Sequence, residues 1–186
     1  MILDLELNSA TTEWAQLRDT AVAAEEAGVG AVWVFDHLSG TVLHGDRMLE
    51  CFTLLGALAA STTTIELGSM VANVANRHPG VLATAAASVQ AISNGRLLFG
   101  IGAGAAPGSR WSREHDSIGI PLRQSIADRH AAVEEALDLF DAALFDPDHP
   151  ERRRMADLGV DRLVVDCLEP PPPDLFSRPG RSWRAT

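Results

Sequence analysis

Asp36 and His37 stand together at the end of the apolar run "AVWVF" and bring a carboxylate and an imidazole to one point of the chain. An imidazole titrates near neutrality, so the pair holds the parts of a general base, or of a hydrogen bond to a cofactor ring. The plainer alternative is a histidine packed on the rim of the fold. Further along, "LGSMVANVANRHPG" offers Asn73, Asn76, Arg77 and His78. Polar groups there would face a ligand, whereas Arg77 and His78 have a simpler role in capping and anchoring a following helix; for Arg77 that role is the expected one. A metal site would add His44, Asp46, Glu50 and His78, but these fall on different elements without His-x-His or His-Glu-x-x-His spacing, so no metal is expected. No Gly-x-Ser-x-Gly elbow supports a serine nucleophile.

A second candidate is "NGRLLFGIGAGAAPGS", residues 94–109, where an apolar strand runs into Gly100, Gly102 and Gly104. Bare backbone admits a close neighbour, and a phosphate is the usual one. A dinucleotide fingerprint, however, needs a helix to start at the glycine turn and an acid about twenty residues on. Here the polar stretch "AAPGSRWSREHDSIGIPLRQS" follows, and helical periodicity resumes only at Ile126. A Gly-Lys-Ser or Gly-Lys-Thr sequence is also lacking. What remains is a flat ring or an isoprenoid-sized group against the backbone, or tight strand packing inside a barrel.

Composition narrows the chemistry. With 186 residues and 46% hydrophobic content the chain suits one domain with a tail. A net charge of −10 argues against nucleic acid or an anionic membrane as partner, which leaves a small-molecule substrate. All fifteen basic residues are arginine, which removes Schiff-base chemistry and a P-loop lysine, and the lack of tyrosine removes a tyrosine acid. Met1 leads into "ILDLEL" with no basic leader and no apolar run has the length of a membrane span, so a cytoplasmic protein is expected. Cys51 and Cys167 lack metal or redox spacing and are expected as buried thiols.

The elements that must position these residues alternate. "ILDLEL" predicts a first strand, and "TTEWAQLRDTAVAAEEAG" a helix with Trp14, Leu17, Ala21 and Ala24 on one face, capped by Thr11 or Thr12 and ended by Gly28. "AVWVF" is a strand buried on both faces, followed by a helix over about Asp46 to Ala60. "TIELGSMV" is a third strand. Pro79 opens a third helix with Leu82, Ala85, Ala86, Val89 and Ile92 as its stripe, closed by Gly95. "RLLFGIG" and "IADRHAAVEEALDLFDAAL" complete a fourth unit. Near the end, "MADLGVDRLVVDC" repeats the pattern of "EEAGVGAVWVFDH", with Gly159 matching Gly28 and Asp166 matching Asp36. The prediction is a parallel α/β fold of about four βα units plus one terminal strand. It divides into a unit over 1–143, a linker and strand over 144–168, and a disordered proline-rich tail over 169–186.

The stretches "AEEAGVGAVWVFDHL", "TLLGALAASTTTIELGSMVANVANRHPGVLATAAASVQAISNGRLLFGIGAG" and "DRHAAVEEALDLF" resemble the luciferase-like monooxygenase superfamily, in particular its branch that uses the deazaflavin coenzyme F-420. The resemblance covers about Met1 to Ala143. It implies a TIM-type (β/α)8 barrel holding F-420 or FMN at its C-terminal mouth, and an oxidoreductase that moves hydride to or from a small organic substrate. It further implies that His37 sits against the reactive ring, oriented by Asp36. Ser69, Met70 and Val71 would form the bulge after the third strand, where relatives often carry a non-prolyl cis peptide, with Asn73 beside it. Gly102, Ala103 and Gly104 would line the same pocket.

Two departures from the family pattern matter. Ala105 stands where some F-420-dependent dehydrogenases have a glutamate. Five strands also cannot close an eight-stranded barrel, so this is a partial barrel, expected to form a homo-oligomer that covers its open edge. The alternative to an oxidoreductase is a truncated non-catalytic relic or a flavin- or deazaflavin-binding module.

Overall fold

The structure is a computed structural model that describes residues 2–143 and 164–166. Its elements are β1 (Leu5–Leu7), α1 (Trp14–Glu26), β2 (Ala31–Val34), α2 (Cys51–Ser61), β3 (Glu66–Asn73), α3 (Pro79–Ile92), β4 (Leu97–Gly102), α4 (Arg113–Ile118), α5 (Ile126–Ala143) and β5 (Val164–Asp166). The strands form one sheet in the order β1-β2-β3-β4-β5, every pair parallel. Each pairing moves one strand onward, and successive helices pack on one another, α1 on α2, α2 on α3 and α3 on α5. This is the expected partial β/α barrel. The linker over 144–163, Gly159, Cys167 and the tail over 169–186 lie outside the described residues.

The register explains which residues form the core. Val32, Leu67 and Leu97 lie in one row across β2, β3 and β4, and pack with Leu17, Leu55, Leu58, Leu82 and Val89 from the helices. The next row, Trp33, Gly68 and Leu98, faces the other way, as strand alternation requires. The indole of Trp33 lies on Gly68, where a Cβ would overlap it, and its Nε1 donates to Asp4 at 3.1 Å. Cys51 is fully buried, and burial pushes its thiol pKa well above the ordinary value. It is the buried thiol expected.

Several details differ from the sequence prediction, beginning with β1, which covers only Leu5–Leu7 of "ILDLEL". Helix α1 starts from Glu13 with no side-chain cap, not from Thr11 or Thr12, although Gly28 at φ +75 closes it as expected. Helix α2 begins at Cys51, not near Asp46, because Glu50 caps it by accepting from the Thr53 amide at 2.7 Å. The polar stretch after β4 holds a 3-10 turn at Arg110–Ser112 and the short helix α4. On α3, Leu82, Ala86 and Val89 are buried, but Ile92 at the C-terminal end is 54% exposed and leaves the stripe.

Candidate active site

Past the end of β2 the chain turns Asp36 inward, with its side chain 1% exposed. A carboxylate so placed needs compensating donors. It receives them from the Asn73 amide at 2.8 Å and from Arg77 through two bonds of 2.7 and 2.6 Å. Arg77 also reaches Glu50 at 2.9 Å, and the Asp36 carbonyl accepts from Asn76 Nδ2 at 2.7 Å. Burial works against the Arg77 charge, but Asp36 and Glu50 outweigh it and raise its pKa further. Arg77 is therefore not a helix anchor; the side chain that caps α3 is His78, which accepts from the Gly80 amide at 3.1 Å.

His37 is held by a different acid. Its Nδ1 lies 2.8 Å from Oε1 of Glu114 on α4, while Oε2 of Glu114 accepts from the amides of Leu38 at 2.7 Å and Ser39 at 3.0 Å. Glu114 is 1% exposed; burial alone would raise its pKa, but the bond from His37 and those amides bring it below the ordinary value. The expected orientation of His37 by Asp36 is replaced by this pairing, because Asp36 is taken up by Arg77 and Asn73. Trp111 stacks on the imidazole, with ring centroids 5.5 Å apart and planes 20° from parallel, and Arg110 lies 3.9 Å above the indole. The His37 side chain remains 23% exposed. With Nδ1 committed, Nε2 is the nitrogen open to a ligand.

His115, the next residue of α4, is fully buried. Asn76 gives its Nδ2 to Asp36, so its Oδ1 faces His115 Nε2 at 2.9 Å, and Nε2 carries the proton. Nδ1 is then a bare nitrogen, consistent with its lack of a buried partner. Burial lowers the His115 pKa, so the ring is neutral at neutral pH. One short helix thus grips both His37 and the loop that carries Asn76.

At β3, the Met70–Val71 peptide is cis and the ladder to β4 shifts register between Ser69 and Ala72, as the family resemblance implied. Ser69 is buried and donates to the Gly100 carbonyl at 2.8 Å, so it ties two strands together; Met70 is 40% exposed. Asn73 Oδ1 accepts from Ala75 N at 2.9 Å, and its amide serves Asp36. A Cβ on Gly100 would overlap the Ser69 carbonyl, and one on Gly104, at φ +77, would meet the Asn73 side chain. At those two positions the close neighbour is the protein itself. Gly102 is buried in β4, and Ala103 packs partly buried on the core. Of the metal candidates, Glu50 is bonded to Arg77 and His78 caps a helix.

The sequence passed over Glu114, His115 and Trp111. "SREHDSIG" carries alternating charges with no apolar stripe, and a six-residue helix is too short to show a period.

Comparison with known proteins agrees with this architecture. A sequence model of the luciferase-like monooxygenase family matches residues 3–159. An F-420-dependent glucose-6-phosphate dehydrogenase of Beutenbergia cavernae is 35% identical over 122 residues, covering 65% of this chain and 34% of that protein. The chain spans about a third of the length of the curated relatives it matches. Among solved structures, an F-420-dependent secondary alcohol dehydrogenase in complex with an F-420-acetone adduct superposes with a TM-score of 0.61 at 20% identity, over 75% of this chain and 41% of that one. The oxygenating constituent of 3,6-diketocamphane monooxygenase from Pseudomonas putida, a type II Baeyer-Villiger enzyme in complex with FMN, gives 0.59 at 23% identity, over 77% and 39%. These two likenesses carry the fold.

Proposed function

This chain belongs to the luciferase-like monooxygenase family, and from that premise we propose that it serves hydride transfer between F-420 or FMN and a small organic substrate. The observation that carries this reading is His37, set at the C-terminal end of β2 with Nδ1 bonded to Glu114 and Nε2 uncommitted. Ligands of parallel barrels gather at that end of the strands. The residues present fit a flat ring there: the half-exposed Met70 at the β3 bulge and the imidazole of His37 offer one apolar and one hydrogen-bonding contact. Gly102 and Ala103 complete the proposed lining.

When bound, such a coenzyme accepts or returns a hydride at its ring. The chain's own task is the proton. An alcohol that becomes a ketone loses a hydride from carbon and a proton from oxygen, and His37 Nε2 is the base for that proton. In the reverse direction the imidazolium gives it back to the carbonyl oxygen. The Glu114 carboxylate 2.8 Å from Nδ1 balances the positive charge that appears on the ring. Trp111 covers one face of the imidazole and keeps water from it.

Among the described residues no helix is long and apolar enough to cross a membrane. A cytoplasmic location and assembly into a homo-oligomer belong to the same proposal; for the assembly, β1 and β5 are the edges of the parallel sheet among the described residues, and an uncovered edge favours pairing with a partner chain. Light scattering that finds only monomer over a range of concentrations would refute the assembly. The central test is titration of the purified protein into F-420, and separately into FMN, followed by ring fluorescence. Saturable quenching that weakens in Met70→Asp supports the reading. No quenching with either coenzyme would overturn it in favour of a non-catalytic relic.

A further inference from the structure

The carboxylate of Glu114 is divided between two tasks, and that division fixes more than a distance. Its Oε2 is occupied by two backbone donors, the amides of Leu38 and Ser39. A backbone N–H is always a donor, so the atom at the Oε2 position must be an acceptor. The Oε1 atom faces His37 Nδ1 and is an acceptor too, since the carboxylate is ionised. His37 Nδ1 must then carry a proton. In the neutral imidazole only one nitrogen does, so Nε2 is bare.

From this geometry we propose that Glu114 is the positioning residue that sets the tautomer of His37, making it a proton acceptor at Nε2, and that the amides of Leu38 and Ser39 are what make the setting unambiguous. The proposal rests on the reading above only for its consequence in catalysis; the tautomer itself belongs to the protein without coenzyme. Trp111 supports it by stacking on the imidazole, which prevents the ring from turning over to exchange its nitrogens.

The consequence is sharp for Glu114→Gln. A glutamine has one acceptor and one donor end. The amides of Leu38 and Ser39 demand the acceptor, so the side-chain NH2 is left facing His37 Nδ1. A donor there forces Nδ1 to become the bare nitrogen, and the proton moves to Nε2. The substitution keeps the shape of the side chain and inverts the histidine from acceptor to donor. In a hydrolase triad the same kind of carboxylate-to-amide exchange, giving the wrong tautomer, costs about 10⁴ in kcat.

The experiment is nitrogen NMR of the imidazoles in 15N-histidine-labelled full chain without coenzyme, at a pH high enough for neutral rings, with His37 assigned by its loss in His37→Gln. The expected wild-type spectrum has a protonated Nδ1 and a bare Nε2. Glu114→Gln is expected to exchange the two. A wild-type His37 with its proton on Nε2 overturns the proposal, and so does a folded Glu114→Gln protein that keeps the wild-type pattern. Should Glu114→Gln fail to fold, the wild-type spectrum alone still decides. Glu114→Ala gives a further check, since it leaves no group to fix the tautomer and is expected to show a mixture. If coenzyme binds, kcat for Glu114→Gln is expected to fall roughly 10³-fold or more at near-unchanged KM. Absence of coenzyme binding with the expected tautomers would defeat the functional reading and leave this one standing.

Discussion

The two ends of the sheet use charge in different ways. At the N-terminal end, charged side chains bond mainly to backbone. Glu25 accepts from the amides of Thr63 and Ile65 at 2.8 and 3.0 Å, and from the Thr64 amide. Arg96 donates to the carbonyls of Ala59, Thr62, Ile65 and Ser93, and to the Thr62 hydroxyl. Asp4 accepts from Ala31 N and the Trp33 indole. At the C-terminal end, Asp36, Arg77, Glu50, His37 and Glu114 add side-chain pairs with one another to the bonds that the three acids accept from backbone amides, and His37 keeps a nitrogen uncommitted. The first arrangement ties loops to strand starts. The second holds side chains in set orientations, which is what chemistry needs, and parallel barrels in general divide stability and catalysis between their ends in this way.

The largest expected effect tests whether the C-terminal network also carries stability. Arg77→Ala leaves the Asp36 carboxylate buried with only the Asn73 amide as donor. Removing one member of a buried pair costs about 3–5 kcal/mol. A denaturant melt that shows less than about 1 kcal/mol would mean that water replaces the guanidinium and that this end is looser than the bonds imply. Next in size is Arg96→Ala at the other end, which strips four carbonyls of a partner and is expected to cost about 2–3 kcal/mol. Here the sharper reading is what does not change: His37 is expected to keep its wild-type nitrogen spectrum. Disturbance of His37 by Arg96→Ala would break the division between the ends.

The sequence revealed one of these ends better than the other, for physical reasons. Strands such as "AVWVF" and "RLLFGIG" are apolar runs because one face packs on the helices while the other carries side chains such as Trp33 that lie across neighbouring strands, and their alternation with helical stripes made the parallel order legible. Asp36 and His37 stood out because they are adjacent and follow a strand. Their true partners did not, since Arg77 lies 41 residues from Asp36 and Glu114 lies 77 from His37. The family resemblance implied that Asp36 orients His37, but successive residues leaving a strand point to opposite sides, and each finds its partner elsewhere. Gly100 and Gly104 were legible as close approaches, while the identity of the neighbour, a carbonyl and an asparagine of the same chain, needed the bulge in β3. Side-chain pairing between distant loops leaves no periodic trace.

The smallest expected effect concerns Glu25 and depends on pH in a way that identifies its cause. Burial by itself would raise the Glu25 pKa, but the donors from Thr64, Ile65 and Thr63 lower it from 4.5 to about 2. A carboxylate whose pKa is lower in the folded chain contributes stability that is complete above the unfolded value and is lost as pH falls through the folded one. The unfolded chain binds the proton first, so acid favours unfolding over the window from 4.5 down to about 2. Glu25→Gln keeps one acceptor for those three amides and removes the charge. Because the group is open to solvent and to salt, the expected cost at pH 7 is about 1 kcal/mol, the low end for a charged hydrogen bond. Urea melts of both proteins at stepped pH would check it. The gap between them is expected to hold steady from pH 7 to about 5 and to close below 4.5. A gap that persists unchanged into acid would assign the loss to altered packing at the start of β3, and the N-terminal end would then owe its strength to shape more than to charge.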